Sequence, residues 1–210
     1  VIESGDILSL VSTPSYNPNN FVLGISQSDW NALLNDDRKP LLNKATSGAY
    51  PPGSTFKMVV AAAALELGLI GLNDKVFCAG FYELGSRKFH CWLKGGHGKL
   101  ALQEAIQKSC DVYFYELARK VGVKRIGDMA RRLGLGQAYN LPLTGLSKGF
   151  VPTKKWKKER FGTSWLVGDT LNVGIGQGFS LATPLQLAVM TARLASGKEV
   201  TPNIIKNPNK

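Results

Sequence analysis

Tyr50-Pro51-Pro52-Gly53-Ser54-Thr55-Phe56-Lys57 leads without a break into Met58-Val59-Val60-Ala61-Ala62-Ala63-Ala64-Leu65. Two prolines and a glycine make a rigid turn that cannot itself be helix, whereas the alanine-rich run is among the strongest helix formers. The stretch therefore predicts a helix over residues 54–67, opened by Ser54 and closed by Gly68. Residues three apart share a helix face, so the Lys57 amine is expected to reach the Ser54 hydroxyl. A serine beside an amine base is a nucleophile for acyl transfer. The helix amides and the Ser54 N–H point toward a developing oxyanion, and Phe56, Met58 and Val59 are placed to desolvate the lysine and free its lone pair.

Ser-x-x-Lys occurs once in the chain and is weak alone, because a capping serine followed by a solvated lysine has the same spelling. The surrounding segments decide between the two. Tyr-Pro-Pro-Gly-Ser-Thr-x-Lys resembles the active-site segment of the penicillin-binding transpeptidases, whose signature set is Ser-x-x-Lys, Ser-x-Asn and Lys-Thr-Gly. Ser12-Thr13-Pro14-Ser15-Tyr16-Asn17-Pro18-Asn19 resembles the turn after that family's first core strand, and Ser109-Cys110-Asp111 stands in the place of its second motif. Gly174-Ile175-Gly176-Gln177-Gly178 and Thr183-Pro184-Leu185-Gln186 resemble its late segments, in the same order. Trp92-Leu93-Lys94-Gly95-Gly96-His97-Gly98, the Ser-Cys-Asp spelling and Trp165-x-x-Gly168-Asp169-Thr170 look most like the class B, elongation-type branch, the penicillin-binding protein 2 group.

The resemblance implies a penicillin-binding transpeptidase / serine β-lactamase-like fold, incomplete at the C-terminus. It also implies a D,D-transpeptidase that cross-links peptidoglycan stem peptides: Ser54 attacks the penultimate D-Ala carbonyl, the terminal D-Ala leaves, and an amine of a neighbouring strand takes the acyl group. β-Lactam antibiotics would acylate the same serine. The implied partners are a SEDS-type glycosyltransferase and an elongation scaffold protein, and the implied location is the bacterial inner membrane with the catalytic domain in the periplasm, serving cell shape.

Two departures stand out. Lys-Thr-Gly occurs nowhere in the sequence, although in the family that strand binds the substrate carboxylate and supplies the second oxyanion amide. One such donor is worth ~10²–10³ in rate, so the stretch alone is expected to be a poor catalyst. Asp111 also stands where most relatives have Asn. A carboxylate only accepts, and beside Lys57 it would favour the ammonium and oppose the base role. Two readings stay open: Ser109 relays the proton while Asp111 positions Lys57, or Asp111 simply caps the helical run that follows.

At 210 residues and 44% hydrophobic, the chain has enough apolar content for one α/β or α+β domain over 1–210. No run approaches the ~18 apolar residues of a membrane span, and Val1-Ile2-Glu3-Ser4 shows neither initiator Met nor signal peptide. The expectation is a transpeptidase domain fragment, with a membrane anchor, a pedestal domain and the Lys-Thr-Gly strand region lying outside it. Patterns predict a strand over 6–11, a short helix near 28–34, and helices near 102–121, 124–133 and 184–194, the last capped by Thr183 with Pro in its first turn.

Net charge is +11, densest at Lys154-Lys155-Trp156-Lys157-Lys158. No nucleic-acid motif accompanies the run, so no nucleic-acid partner is expected; a solvated loop, or attraction to anionic lipid headgroups or a pyrophosphate-linked polymer, fits it. Three cysteines leave an odd thiol for an oxidising compartment. Cys78, Cys91, His97 and Cys110 supply Cys₃His, a closed tetrahedral zinc set whose spacing is not that of a zinc finger. Some members of the penicillin-binding protein 2 group carry zinc near this place. His90 competes for the nitrogen position, and a Cys78–Cys91 disulfide with Cys110 buried is the alternative. No organic cofactor is expected. Two other function classes remain: a serine β-lactamase or β-lactam-sensing domain of the same superfamily, and a non-catalytic binding module lacking the third motif.

Overall fold

A computed structural model describes residues 1–205. Its elements run α1 (Gln27–Asn35), α2 (Lys57–Glu66), β1 (Val76–Cys78), β2 (Phe81–Leu84), β3 (Arg87–His90), β4 (Gly98–Leu100), α3 (Leu102–Gln107), α4 (Asp111–Val121), α5 (Val123–Arg132), α6 (Lys154–Phe161), α7 (Val167–Gly174) and α8 (Pro184–Ser196).

The core forms around α4. Val112, Tyr113, Phe114, Leu117 and Ala118 are buried, and α2, α5 and α7 pack against this helix. The alanines of α2 explain the close approach: Val59, Val60, Ala61, Ala63 and Ala64 are all buried, and small side chains bring backbones together. Gly174 of α7 is needed for the same reason, because a Cβ there would lie 2.4 Å from the Ala118 Cβ.

The strands form two short antiparallel pairs, β1 with β4 and β2 with β3. Cys78 pairs with Gly98 across the first, and His90 with Phe81 across the second. The β2–β3 hairpin folds back so that the Cys91 N–H donates to the Gly80 carbonyl at 2.8 Å.

Several predicted elements come out differently. Ser54 opens no α-helix; Gly53–Phe56 is a 3-10 turn, and α2 begins at Lys57. The helix expected over 102–121 breaks at Ser109, whose φ of 50° lies in the left-handed region. The segment expected as a strand over 6–11 makes a single parallel bridge, Asp6 with Asn203, and is otherwise not a strand among the described residues. The basic run at 154–158 is not a loop: Thr153 caps α6 by accepting from the Trp156 N–H, and Lys157 is buried in an ion pair with Asp169. Trp165 and Phe179 flank that ammonium, each ring centred 6.0 Å away. Thr183 caps α8 in a capping box with Gln186, with Pro184 in the first turn, as the sequence predicts.

Candidate active site

The turn that carries Ser54 is pinned on both sides by backbone. Tyr50 and Ala182 exchange N–H···O bonds of 2.9 and 2.8 Å, and the Gly53 N–H donates to the Gly176 carbonyl at 2.9 Å. Gly176 has φ 71°, and a Cβ on it would sit 2.1 Å from the Gly53 oxygen, so only glycine allows this approach. Ser54 is therefore fixed in an exposed position while its neighbour Phe56 and, one turn on, Lys57 are buried. As the second residue of a helical turn it has an N–H outside the intrahelical ladder, the geometry wanted of an oxyanion donor.

Lys57 is 2% exposed, and its ammonium donates to Ser109 O at 2.8 Å, Ser109 Oγ at 2.9 Å and Asp111 Oδ1 at 2.7 Å. Those three bonds use all three of its protons. The Ser109 hydroxyl in turn donates to Ser54 Oγ at 2.7 Å. Sequence spacing suggested a direct contact between Lys57 and Ser54; the structure inserts Ser109, giving an ordered chain Lys57, Ser109, Ser54. Asp111 lies in the first turn of α4, but its carboxylate does not act as a simple cap. Oδ1 takes Lys57 and Oδ2 accepts the Trp92 N–H at 3.0 Å. The Phe114 ring, centred 5.7 Å from Nζ, closes the apolar side.

Cys78, Cys91, His97 and Cys110 converge beside this chain, their ligand atoms all within 4.8 Å of one another. The two strand pairs bring them together, with Cys78 ending β1, Cys91 following β3, His97 preceding β4 and Cys110 preceding α4. All three thiols are buried and free, so the Cys78–Cys91 disulfide is not formed. His97 Nδ1 faces both Cys78 and Cys91 sulfurs at 3.6 Å, close to the ~3.6 Å edge of a tetrahedral Zn–S,N set. Burial pushes the Cys110 thiol up, with Cys78 and Cys91 adding to the effect, and burial lowers the His97 imidazole toward its neutral, ligating form. His90 is exposed and stands outside the cluster.

A family model described as the penicillin binding protein transpeptidase domain matches residues 2–210. The chain belongs to the penicillin-binding protein transpeptidase family. Among relatives of this family, it is 45% identical to the peptidoglycan D,D-transpeptidase MrdA of Escherichia coli K12 over 187 residues, 88% of this chain and 30% of that protein. It thus spans under a third of the length of that curated relative. Penicillin-binding protein 2 of Helicobacter pylori, solved in complex with MreC, superposes with TM-score 0.94 at 41% identity, covering 100% of this chain and 39% of that one. Penicillin-binding protein A of Mycobacterium tuberculosis, solved as a penicillin G acyl-enzyme, superposes with TM-score 0.81 at 28% identity, covering 99% and 48%.

Two contributors to this transpeptidase-family site were not legible as such. The glycine-rich segment carries a family resemblance, but nothing in its spelling says that the Gly176 carbonyl holds the serine turn. In the sequence Trp92 only opens a stretch that resembles the penicillin-binding protein 2 group, yet its indole N–H donates to Lys108 O at 3.1 Å and Ser109 O at 3.2 Å.

Proposed function

We propose that the protein carrying this chain is a peptidoglycan D,D-transpeptidase and a target of β-lactams, with Ser54 as nucleophile. The observation that carries the reading is the continuous chain from the Asp111-held Lys57 through Ser109 to the exposed Ser54. Ser54 Oγ attacks the penultimate D-Ala carbonyl while its proton passes to Ser109 Oγ and the Ser109 proton passes to a neutral Lys57 amine. Collapse of the tetrahedral intermediate breaks the D-Ala–D-Ala amide, and the resulting ammonium returns a proton through Ser109 to the leaving amine. The donor order in the structure, Lys57 to Ser109 to Ser54, is that of this second, acid stage. An acceptor amine then attacks the seryl ester and the relay runs again in reverse.

Cys78, Cys91, His97 and Cys110 fit a structural zinc, which with four protein ligands would have no open position for water and would supply rigidity rather than Lewis-acid chemistry. Cys110 lies between Ser109 and Asp111, so the thiolate set would hold the second motif in place. Family membership supports an enzyme anchored in the inner membrane and acting in the periplasm; among the described residues no helix is long and apolar enough to cross a membrane. A scaffold of the MreC kind and a SEDS-type glycosyltransferase are the proposed partners, the first supported by the solved complex of the H. pylori relative.

The test is exchange of a stem pentapeptide's terminal D-Ala for a labelled D-amino acid by the full-length protein. Exchange that disappears in Ser54→Ala supports the reading; exchange retained in Ser54→Ala contradicts it.

A further inference from the structure

Ser109 has an unusual conformation for its residue type. It stands just past α3, where the Cys110 N–H reaches back to the Ala105 carbonyl at 2.9 Å and the Ser109 N–H to the Ile106 carbonyl at 3.0 Å. That is the left-handed helix stop normally given to glycine, and a side chain there costs about 1–2 kcal/mol. Glycine would have no hydroxyl to place between Lys57 and Ser54, so serine is retained in a conformation that the surroundings must enforce. Two groups grip its carbonyl. One is Lys57 Nζ at 2.8 Å, already part of the relay, and the other is the indole N–H of Trp92 at 3.2 Å, which it shares with the Lys108 carbonyl at 3.1 Å.

Trp92 is fastened to the other side of the motif as well, since its backbone N–H donates to Asp111 Oδ2 at 3.0 Å. Its ring meets the His97 imidazole edge-on at 5.4 Å, and it follows Cys91 directly in the chain. Yet the side chain is not core packing: Trp92 is 62% exposed, far more than a tryptophan kept for hydrophobic burial. What the fold retains from it is two N–H groups directed at residues on either side of Cys110.

We propose that Trp92 is a positioning residue for acyl transfer: its indole N–H holds the Ser109 carbonyl so that the strained serine keeps its hydroxyl on Ser54. The inference rests on the acyl-enzyme reading above. Without that bond the carbonyl has Lys57 alone as a partner, and Ser109 can relax toward ordinary φ, which swings Oγ away from the line between Lys57 and Ser54. The effect falls on the chemical step, because the indole reaches the reacting serine only through Ser109.

The experiment compares full-length wild type, Trp92→Phe, and a protein carrying β-(3-benzothienyl)alanine at position 92, an indole isostere without the N–H. Acylation by a chromogenic cephalosporin is followed at saturating and subsaturating concentrations, with zinc content and melting temperature measured on each sample. The expected result is an acylation rate constant about fivefold to tenfold lower in both variants, with the noncovalent binding constant within about twofold of wild type and melting temperature and zinc content unchanged. Replacement by 5-fluorotryptophan, which keeps the N–H, should restore the wild-type rate. Wild-type acylation rates in the benzothienyl protein would overturn the proposal while leaving Ser54 as nucleophile. A loss that vanishes on adding zinc would overturn it too, since Trp92 would then serve the metal loop alone. Failure of the wild type to label at Ser54 would overturn both this proposal and the reading it rests on.

Discussion

Replacing Asp111 with alanine should destabilise the domain by about 3–5 kcal/mol, the cost of breaking a buried ion pair and leaving one charge without its partner. The magnitude follows from the exposure of the pair: the side chains of Lys57 and Asp111 are 3% and 14% exposed, at a separation of 2.7 Å, so water cannot screen the orphaned ammonium. The Trp92 N–H loses its acceptor in the same variant. Asp111→Asn keeps the oxygen acceptor and loses only the charge, and should cost about 1–2 kcal/mol. Lys57→Met removes the cation that needs compensation, so the double variant Lys57→Met/Asp111→Ala should be more stable than the sum of the single losses by about 2 kcal/mol or more. The assay is urea unfolding followed by circular dichroism in zinc-containing buffer, reading shifts in midpoint at constant slope. A cost below about 1 kcal/mol for Asp111→Ala, or single losses that simply add, would mean a solvent-screened bridge and would refute the reasoning.

Ser109→Ala should lower the rate of acylation by about 10²–10⁴, the range of a general acid–base contribution, without weakening noncovalent binding of the β-lactam, as stopped-flow acylation would read. Gly176→Ala forces a Cβ to within 2.1 Å of the Gly53 oxygen at a φ of 71°, and should cost about 2–4 kcal/mol in urea unfolding while slowing acylation by about 10²-fold as the serine turn shifts. A strong chelator should lower the melting temperature of zinc-loaded protein, and Cys78→Ser should remove that chelator effect; elemental analysis should give about one equivalent of zinc in the wild type.

The candidate site residues were legible through the family resemblance of two short segments. Ser54 and Lys57 sit in one such segment and Ser109 and Asp111 in another, and the bare Ser-x-x-Lys spacing is weak without its surroundings. Their connectivity was legible only as one of two open readings, the one with Ser109 between Lys57 and Ser54. Which oxygen lies between Ser54 and Lys57 depends on where α4 begins against α2, and that is fixed by the packing of Phe114 and Ala118 against helices distant in sequence. The left-handed Ser109 defeated the single-helix reading of 102–121, because a serine in a glycine's place gives no stop signal. Charge density misled the reading of 154–158. Those lysines resemble a solvated loop until Asp169, on another helix, buries Lys157 and the ring cluster of Trp156, Phe161 and Phe179 forms around α6. The Cys₃His order could be read from the sequence, but its convergence required two antiparallel pairings of only a few residues each, too short to predict from alternation.

Intact mass spectrometry of the full-length protein after exposure to penicillin, followed by peptide mapping, tests the central claim most directly. The account predicts a single stable adduct of one penicillin, located on Ser54 and absent from Ser54→Ala. An adduct on any other residue, or one that persists in Ser54→Ala, would contradict it.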